Sequence, residues 1–350
     1  MKQSGPDFGC NRNRGLNQHA ERPAIPTSNN GNTLDLARIN EHFHDDETAR
    51  DFFEKLRWPD GPVCPHCGEI NNARKLEARA ASKKPVRKGV WKCYGCCEQF
   101  SATVGTVFED SHIPLHRWLL IAYLMCASKK GMSAHQIHRM TGISYKTVWF
   151  MCHRLRFAMT QHGMIEKLRG IVEIDEVWIG PKEKGSGLRG TGHVESKKRP
   201  VVSLMERSTN GSRVRSFPVE RVTLNNIKPI MREHVEVGTN IQTDEATVYH
   251  FLHDDFPDHD FVTHKNKEYS RHENGRHITT NTVEGFFGLV KRSVFGTYHH
   301  WGRGYLQQYL NEVDFKYNHR KVNDSDRTLL ALKATEGKRL TLRQPKSASA

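Results

Sequence analysis

The sequence predicts an α/β protein in which a mixed sheet, flanked by helices, follows a small cysteine-bearing module and a pair of short helices. Three observations carry this reading. After Gly170 the pattern runs through three strands, a helix, two short strands and two further helices, an order that stacks helices on a sheet. Ahead of it, Cys64-Pro-His-Cys67 and Cys93-Tyr-Gly-Cys96 repeat one Cys-x-x-Cys spacing across a gap of twenty-five residues. Between these regions, two amphipathic stretches meet at Gly142.

Composition bounds the classes of function. A chain of 350 residues makes two or three domains at ~150 residues each. The net charge is +14 and the pI near 9.4, which calls for a polyanionic partner, nucleic acid first. Mean hydropathy is −0.69, and the longest apolar segment, Trp118 to Cys126, is too short to span a bilayer. The first residues, MKQSGPDFGCNRNRG, lack the apolar core of a secretory signal. Eight cysteines are too few for a disulfide scaffold, and their pairing points to metal in a reducing compartment, hence the cytoplasm.

The elements follow in order. Residues 1–32, rich in Asn, Gly, Arg and Pro, read as a disordered basic tail. Residues 33–62 form a helical lead-in with Phe43, Ala49, Phe52, Phe53 and Leu56 on one face, Asp45 or Asp46 as cap, and RWPDG at 57–61 as breaker. The cysteine module occupies 63–110 and a helical region 111–165. There Pro114 suits a first turn, Trp118 to Met125 is strongly apolar, and Lys129, Lys130 and Gly131 end the helix. Ser133 caps Ala134 to Thr141, Gly142 turns the chain, and Ser144 caps a helix from Tyr145 to about Met159. From 170 to 325 the reading is strands at Ile171–Ile179, Pro200–Arg207 and Ser212–Val219 and a helix at Thr223–Val235. Short strands at Asn240–Thr243 and Phe261–Thr263 follow, then helices at Thr280–Val294 and Tyr305–Asn318. Residues 338–350 read as a tail, and no internal repeat is present.

The paired Cys-x-x-Cys spacing has a direct chemical reading. Each pair makes a knuckle that points two thiolates at one ion, and Cys64, Cys67, Cys93 and Cys96 together make a tetrahedral, closed structural Zn²⁺ site. Cys97 is an alternative to Cys96, and His66 a weaker competitor; Cys10, Cys126 and Cys152 stand alone. The stretch from Arg74 to Lys88 carries seven cations against Glu77, so Lys83, Lys84, Arg87 and Lys88 are expected on a phosphate backbone.

The helix pair reads as a helix-turn-helix. Ile137, Ile143, Val148, Met151 and Leu155 pack it, leaving Ser144, Tyr145, Lys146, Thr147, His153, Arg154 and Arg156 for DNA. In that motif the start of the second helix meets base edges in the major groove.

Three acids stand out in the second half. Asp175 lies inside the apolar strand IVEIDEVWI, sharing a face with Glu173 and Val177 while Ile174, Glu176 and Trp178 share the other. Asp244 ends a short strand. Glu284 lies with Asn281, Gly288 and Lys291 on one side of a helix that Val283, Phe286, Phe287 and Val290 anchor from the other. Carboxylates that converge repel unless divalent cations sit among them, and two such cations serve phosphodiester chemistry.

At this point the sequence resembles a known family, the insertion-sequence transposases that join a zinc ribbon to a ribonuclease-H-like DDE domain. The resemblance is carried by RWPDGPVCPHCG (57–68), FSATVGTVFEDSHIPLHRWLLIAYLM (100–125), VEIDEVWIG (172–180), TDEATVYHFL (243–252) and the long segment from NTVEGFF to KYNHR (281–320), spanning about residues 45–325. It implies a catalytic triad of Asp175, Asp244 and Glu284, with Asn281 as an alternative third ligand, and two Mg²⁺ or Mn²⁺ ions. It implies Lys291 and Arg292 on DNA phosphate near the scissile bond. Double-stranded DNA would be the partner, as element ends and as target, bound by a homodimer or higher oligomer in the bacterial nucleoid with no membrane involved. Where the family has paired glycines after the first strand, this chain has Gly180-Pro181. A metal-dependent nuclease without strand transfer is the nearest rival. A transposase-derived DNA-binding regulator is another, and it predicts a decayed triad, whereas all three acids are present.

Overall fold

The computed structural model describes residue 39 and residues 44–77, 87–160, 166–181, 198–208 and 211–341. The expected tail at 1–32, Lys83, Lys84 and residues 342–350 lie outside them. The chain forms two compact units: residues 1–127, 150–158 and 324–350, and residues 128–149 and 159–323. Among the described residues no helix is long and apolar enough to cross a membrane.

The first unit starts with α1 (Asp46–Arg57). Asp45 is its cap, accepting the Glu47 and Thr48 N–H groups at 2.8 and 2.7 Å, while Asp46 takes the Leu115 N–H instead. Strands β1 (Ala73–Lys75), β2 (Trp91–Cys93) and β3 (Gln99–Phe100) form a three-stranded antiparallel sheet. Helix α2 (Leu115–Ala127) is apolar almost all round because it is buried almost all round. Phe108 sits edge-on to both Phe53 of α1 and Trp118 of α2, at 5.2 Å in each case.

Ser133 caps α3 (Ala134–Thr141), and Gly142 ends it with a left-handed φ of +69°. Helix α4 (Tyr145–Ala158) begins with the Thr147 N–H donating to Ser144 Oγ at 3.3 Å. Its first turn belongs to the second unit and the rest to the first.

The second unit is built on a five-stranded sheet of β4 (Ile171–Ile179), β5 (Arg199–Arg207), β6 (Arg213–Pro218), β7 (Asn240–Thr243) and β8 (His259–Phe261). Its order is β6-β5-β4-β7-β8, with β4, β5 and β6 antiparallel and β7 and β8 parallel to β4, a ribonuclease-H-like mixed sheet. Helix α5 (Leu224–His234) packs Ile227 and Met231 with Val172 and Ile174 on one face. Helices α6 (Asn281–Ser293) and α7 (Leu306–Asn318) pack with Val177 and Ile179 on the other.

The outer edge of β6 is sealed by α7. Asn318 accepts the Val214 N–H at 2.7 Å and donates to its carbonyl at 2.9 Å. Asp314 accepts the Ser216 N–H at 2.7 Å, and Gln307 donates to the Ser216 carbonyl at 3.0 Å. A helix thereby supplies the partners that an open strand edge would seek from another chain.

The structure differs from the sequence reading at three elements. The last strand of the sheet comes two residues earlier than expected, at His259–Phe261. A hairpin of β9 (Ser270–Glu273) and β10 (Arg276–Thr279) was not expected, because both strands are polar and lack alternation. Helix α8 (Asp324–Lys333) was also not expected; it is tied into the first unit where Arg327 donates to the Cys126 carbonyl at 3.0 Å.

Candidate active site and metal centre

The two Cys-x-x-Cys knuckles face one another. The four Sγ atoms of Cys64, Cys67, Cys93 and Cys96 all lie within 4.8 Å of each other, with Cys64 and Cys96, and Cys67 and Cys93, each 3.6 Å apart. Backbone turns aim them: the Gly68 N–H closes on the Cys64 carbonyl at 2.9 Å, and the Cys93 N–H bonds the Glu98 carbonyl at 3.0 Å. Burial, with the neighbouring sulfurs adding to it, pushes the Cys67 thiol up to about 12. Four sulfur donors packed so closely suit a Zn²⁺ ion, whose charge and tetrahedral preference fit them. Cys97 is not part of this cluster.

The carboxylate site lies in the second unit, and the sheet register builds it. The parallel ladder pairs Glu173 with Gln242, so two steps further along the strands Asp175 runs beside Asp244. The side chain of Asp175 is on the α6 face. Burial, reinforced by the carboxylates of Glu176, Asp244 and Glu284, pushes it up to about 8. Burial is the larger cause, and the three carboxylates are near enough to add to it. These carboxylates are more widely spread than the thiols: among the described residues only the four cysteines bring three or more such ligand atoms within 4.8 Å. The donors are hard oxygens, the class that would hold a divalent cation.

Glu284 is exposed one turn into α6, and Asn281 is exposed at its first position. The start of that helix is fixed by Glu173, a residue the sequence reading left without a role. Glu173 is fully buried; its carboxylate accepts the Thr282 and Val283 N–H groups at 2.9 Å each, the Thr282 hydroxyl at 2.7 Å and Arg207 at 3.1 Å. A charge reaching up from the sheet therefore caps the helix that presents Glu284. Burial raises the carboxyl pKa of Glu173 even so.

Two further residues were not anticipated. Tyr249 donates to Glu176 at 2.5 Å on the opposite face of β4. His264 Nε2 stands 3.3 Å from Glu284 Oε1 and 3.4 Å from Thr280 Oγ1. Its turn is held by Glu245, which accepts the His264 N–H at 2.7 Å. Glu245 directly follows Asp244, and that adjacency was the available signal.

The expected DNA contacts divide. Lys291 and Arg292 are exposed on α6, Lys146 is exposed at the start of α4, and Arg87 is exposed. Lys88 is exposed and paired with Glu47 at 2.6 Å. Ser144 and Thr147 are engaged with each other in capping α4. Arg154 corrects the reading: it is 6% exposed, donates to the Glu109 carbonyl at 2.6 Å and lies over the rings of Trp118 and Phe150. His153 and Arg156 are buried as well. A cation on a helix reads as surface, but here the second half of α4 belongs to a core with carbonyl and aromatic partners for it.

Comparison with known proteins adds the following. Residues 167–318 match the ISXO2-like transposase domain, and residues 44–99 match the transposase zinc-ribbon domain. An uncharacterized protein in transposable element ISH50 of Halobacterium salinarum is 26% identical over 262 residues, covering 71% of this chain and 83% of that protein. A chain in the cryo-EM structure of the simian T-cell lymphotropic virus intasome with PP2A regulatory subunit B56 gamma aligns with 55% of this chain at 13% identity. The alignment covers 66% of that chain, just short of two thirds, and its TM-score of 0.28 is too low to bear on the fold.

Proposed function

Because the chain belongs to the insertion-sequence DDE transposases that carry an N-terminal zinc ribbon, we propose that it cuts DNA at the ends of its element and transfers the freed 3′-OH ends to target DNA. The observation that supports this reading is the sheet register that sets Asp244 beside Asp175, with Glu284 on the helix packed over that face of the sheet. Two divalent cations, when bound, supply charge neutralisation for in-line phosphoryl transfer. Asp175 faces both other acids and holds the middle of the site. Asp244 and Glu284 hold its two sides, with Glu173 fixing the helix that carries Glu284. Asn281, on the same exposed side of α6, is the alternative third ligand. Lys291 and Arg292 meet DNA phosphate beyond it.

In this reading the ribbon, through Arg87 and Lys88 with Lys83 and Lys84, grips the backbone of the terminal repeats. The start of α4, through Lys146 with Ser144 and Thr147, enters the major groove as the second helix of a helix-turn-helix. A homodimer or larger assembly would hold the two ends together. The protein would act in the bacterial cytoplasm, at the nucleoid.

The test is to incubate purified, zinc-loaded protein with its own flanking genomic DNA and Mg²⁺, and to map the products by sequencing. Cleavage at the element ends together with joined products is expected. Cleavage without joining would make the protein a metal-dependent nuclease, and binding without either would make it a transposase-derived regulator.

A further inference from the structure

The second unit contains a small cleft beyond the carboxylate site that no step above uses. It lies at the C-terminal end of β4, along Ile179 to Pro181, and is closed by Arg199, His300, Trp301 and Arg303. Its volume is about 80 Å³, more than twice the ~30 Å³ share of a water in the liquid. Arg199 reaches it because the ladder pairs Arg199 with Ile179.

Its chemistry is one-sided. Among the described residues no carboxylate lines it. Among the described residues neither guanidinium, nor the His300 imidazole, has an ion-pair or hydrogen-bond partner. Trp301 is 5% exposed, and its Nε1–H is buried without an acceptor. Leaving such a donor unpaired costs about 1–3 kcal/mol. The indole is held rigidly, stacked on Tyr309 of α7 at 5.2 Å and 10°. Two guanidinium forks and an imidazole around a small cavity, with the indole as one wall, form a set of donors facing no acceptor side chain among the described residues, the complement of a tetrahedral oxyanion.

We propose that this cleft binds a phosphodiester group of the DNA strand engaged by the carboxylate site, clamping the duplex at a second point. The proposal rests on the DNA-transfer reading above. Ile179 lies four residues past Asp175 on β4, about 13 Å along the strand at ~3.3 Å per residue, comparable with the rise of roughly four nucleotides along a duplex. The clamp therefore holds the backbone about four nucleotides from the scissile bond, and it fixes the angle at which DNA crosses the acids.

The test uses the full zinc-loaded chain with indole-¹⁵N tryptophan, whose six resonances report the folded state of every variant. The Trp301 resonance is assigned by its absence in Trp301→Phe. In wild type, millimolar inorganic phosphate and a duplex oligonucleotide should each shift that resonance. In Arg199→Gln/Arg303→Gln, neither should. The slope of log affinity for duplex against log salt should lose about 0.9, the value of one phosphate contact. The exposed single variant Arg303→Gln serves if the double variant alters the other five resonances. If the variants keep the wild-type salt slope and phosphate leaves Trp301 unmoved, the clamp is overturned while the transposase reading stands. If phosphate shifts Trp301 but wild type binds no duplex, the phosphodiester assignment falls together with that reading.

Discussion

The four thiols and the three carboxylates, read as two ligand sets, are built on opposite plans. The thiols close to within 4.8 Å on two backbone knuckles, leaving no room for a further ligand. The carboxylates come from β4, the end of β7 and the first turn of α6, stay spread, and leave Glu284 and Asn281 open to solvent. In the ribbon the ion takes the place of a core that a fifty-residue module cannot build by itself. In the second unit the sheet, α5, α6 and α7 already supply the core, so ions held by the carboxylates would be free to serve chemistry. The difference teaches that metal loss should unfold one site and only silence the other.

The largest expected effect is on the ribbon. Structural zinc in small modules contributes ~10–16 kcal/mol of apparent binding energy. Chelation, or Cys67→Ser, should therefore unfold the first unit locally, read as faster amide exchange across β1 to β3, with exchange in β4 to β8 unchanged. Metal analysis of fresh, reduced protein should find one zinc per chain, and stripping divalent ions with a weak Mg²⁺ chelator should alter neither sheet.

Next comes Glu173, where the second plan depends on protein and not on metal. Removing one partner of a buried, hydrogen-bonded charge cluster costs roughly 3–5 kcal/mol. Glu173→Ala should lower the unfolding midpoint and uncouple α6 from the sheet, weakening cation binding without touching a ligand. Glu173→Gln, which retains acceptor capacity, should recover part of the stability. An unchanged melting curve for Glu173→Ala would remove Glu173 from this role.

A smaller effect separates burial from clustering. Asp314 is fully buried and lifted to about 7 by that burial alone, opposed by its two hydrogen bonds from Ser216. Between the unfolded value near 3.8 and about 7 the native state holds the extra proton, so stability should fall as pH rises through that window. Asp314→Asn should flatten the dependence, measured as unfolding midpoints at pH 5 and pH 8. Added Mg²⁺ should leave this titration in place, because no other acid contributes to it, whereas it should pull down the titration of Asp175.

How much of this was legible in the sequence follows from how local each feature is. The zinc ligands are two local spacings and were readable outright. Asp175 was conspicuous as a charge in an apolar strand, and the sheet's alternation followed from it. Glu173 carried the same oddity two residues earlier, but its partners Thr282 and Val283 lie more than a hundred residues away, and only the folded register joins them. Arg154 misled because a helical cation looks solvated until its aromatic neighbours are known. The β9–β10 hairpin left a usable signal in Asn274-Gly275, both at positive φ, the dipeptide that suits a tight hairpin turn.

The central claim is that Asp175, Asp244 and Glu284 act together on phosphodiesters through shared cations. Asp175→Asn tests it most directly, since it keeps the side-chain volume and removes the charge that all the other acids oppose. Assayed with end DNA and Mg²⁺, this variant should bind with wild-type affinity, retain its zinc and its melting point, and yield neither nicked nor joined product. Wild-type cleavage by Asp175→Asn would contradict the account, because no other acid on that face of β4 is free to take its place while Glu173 holds the helix.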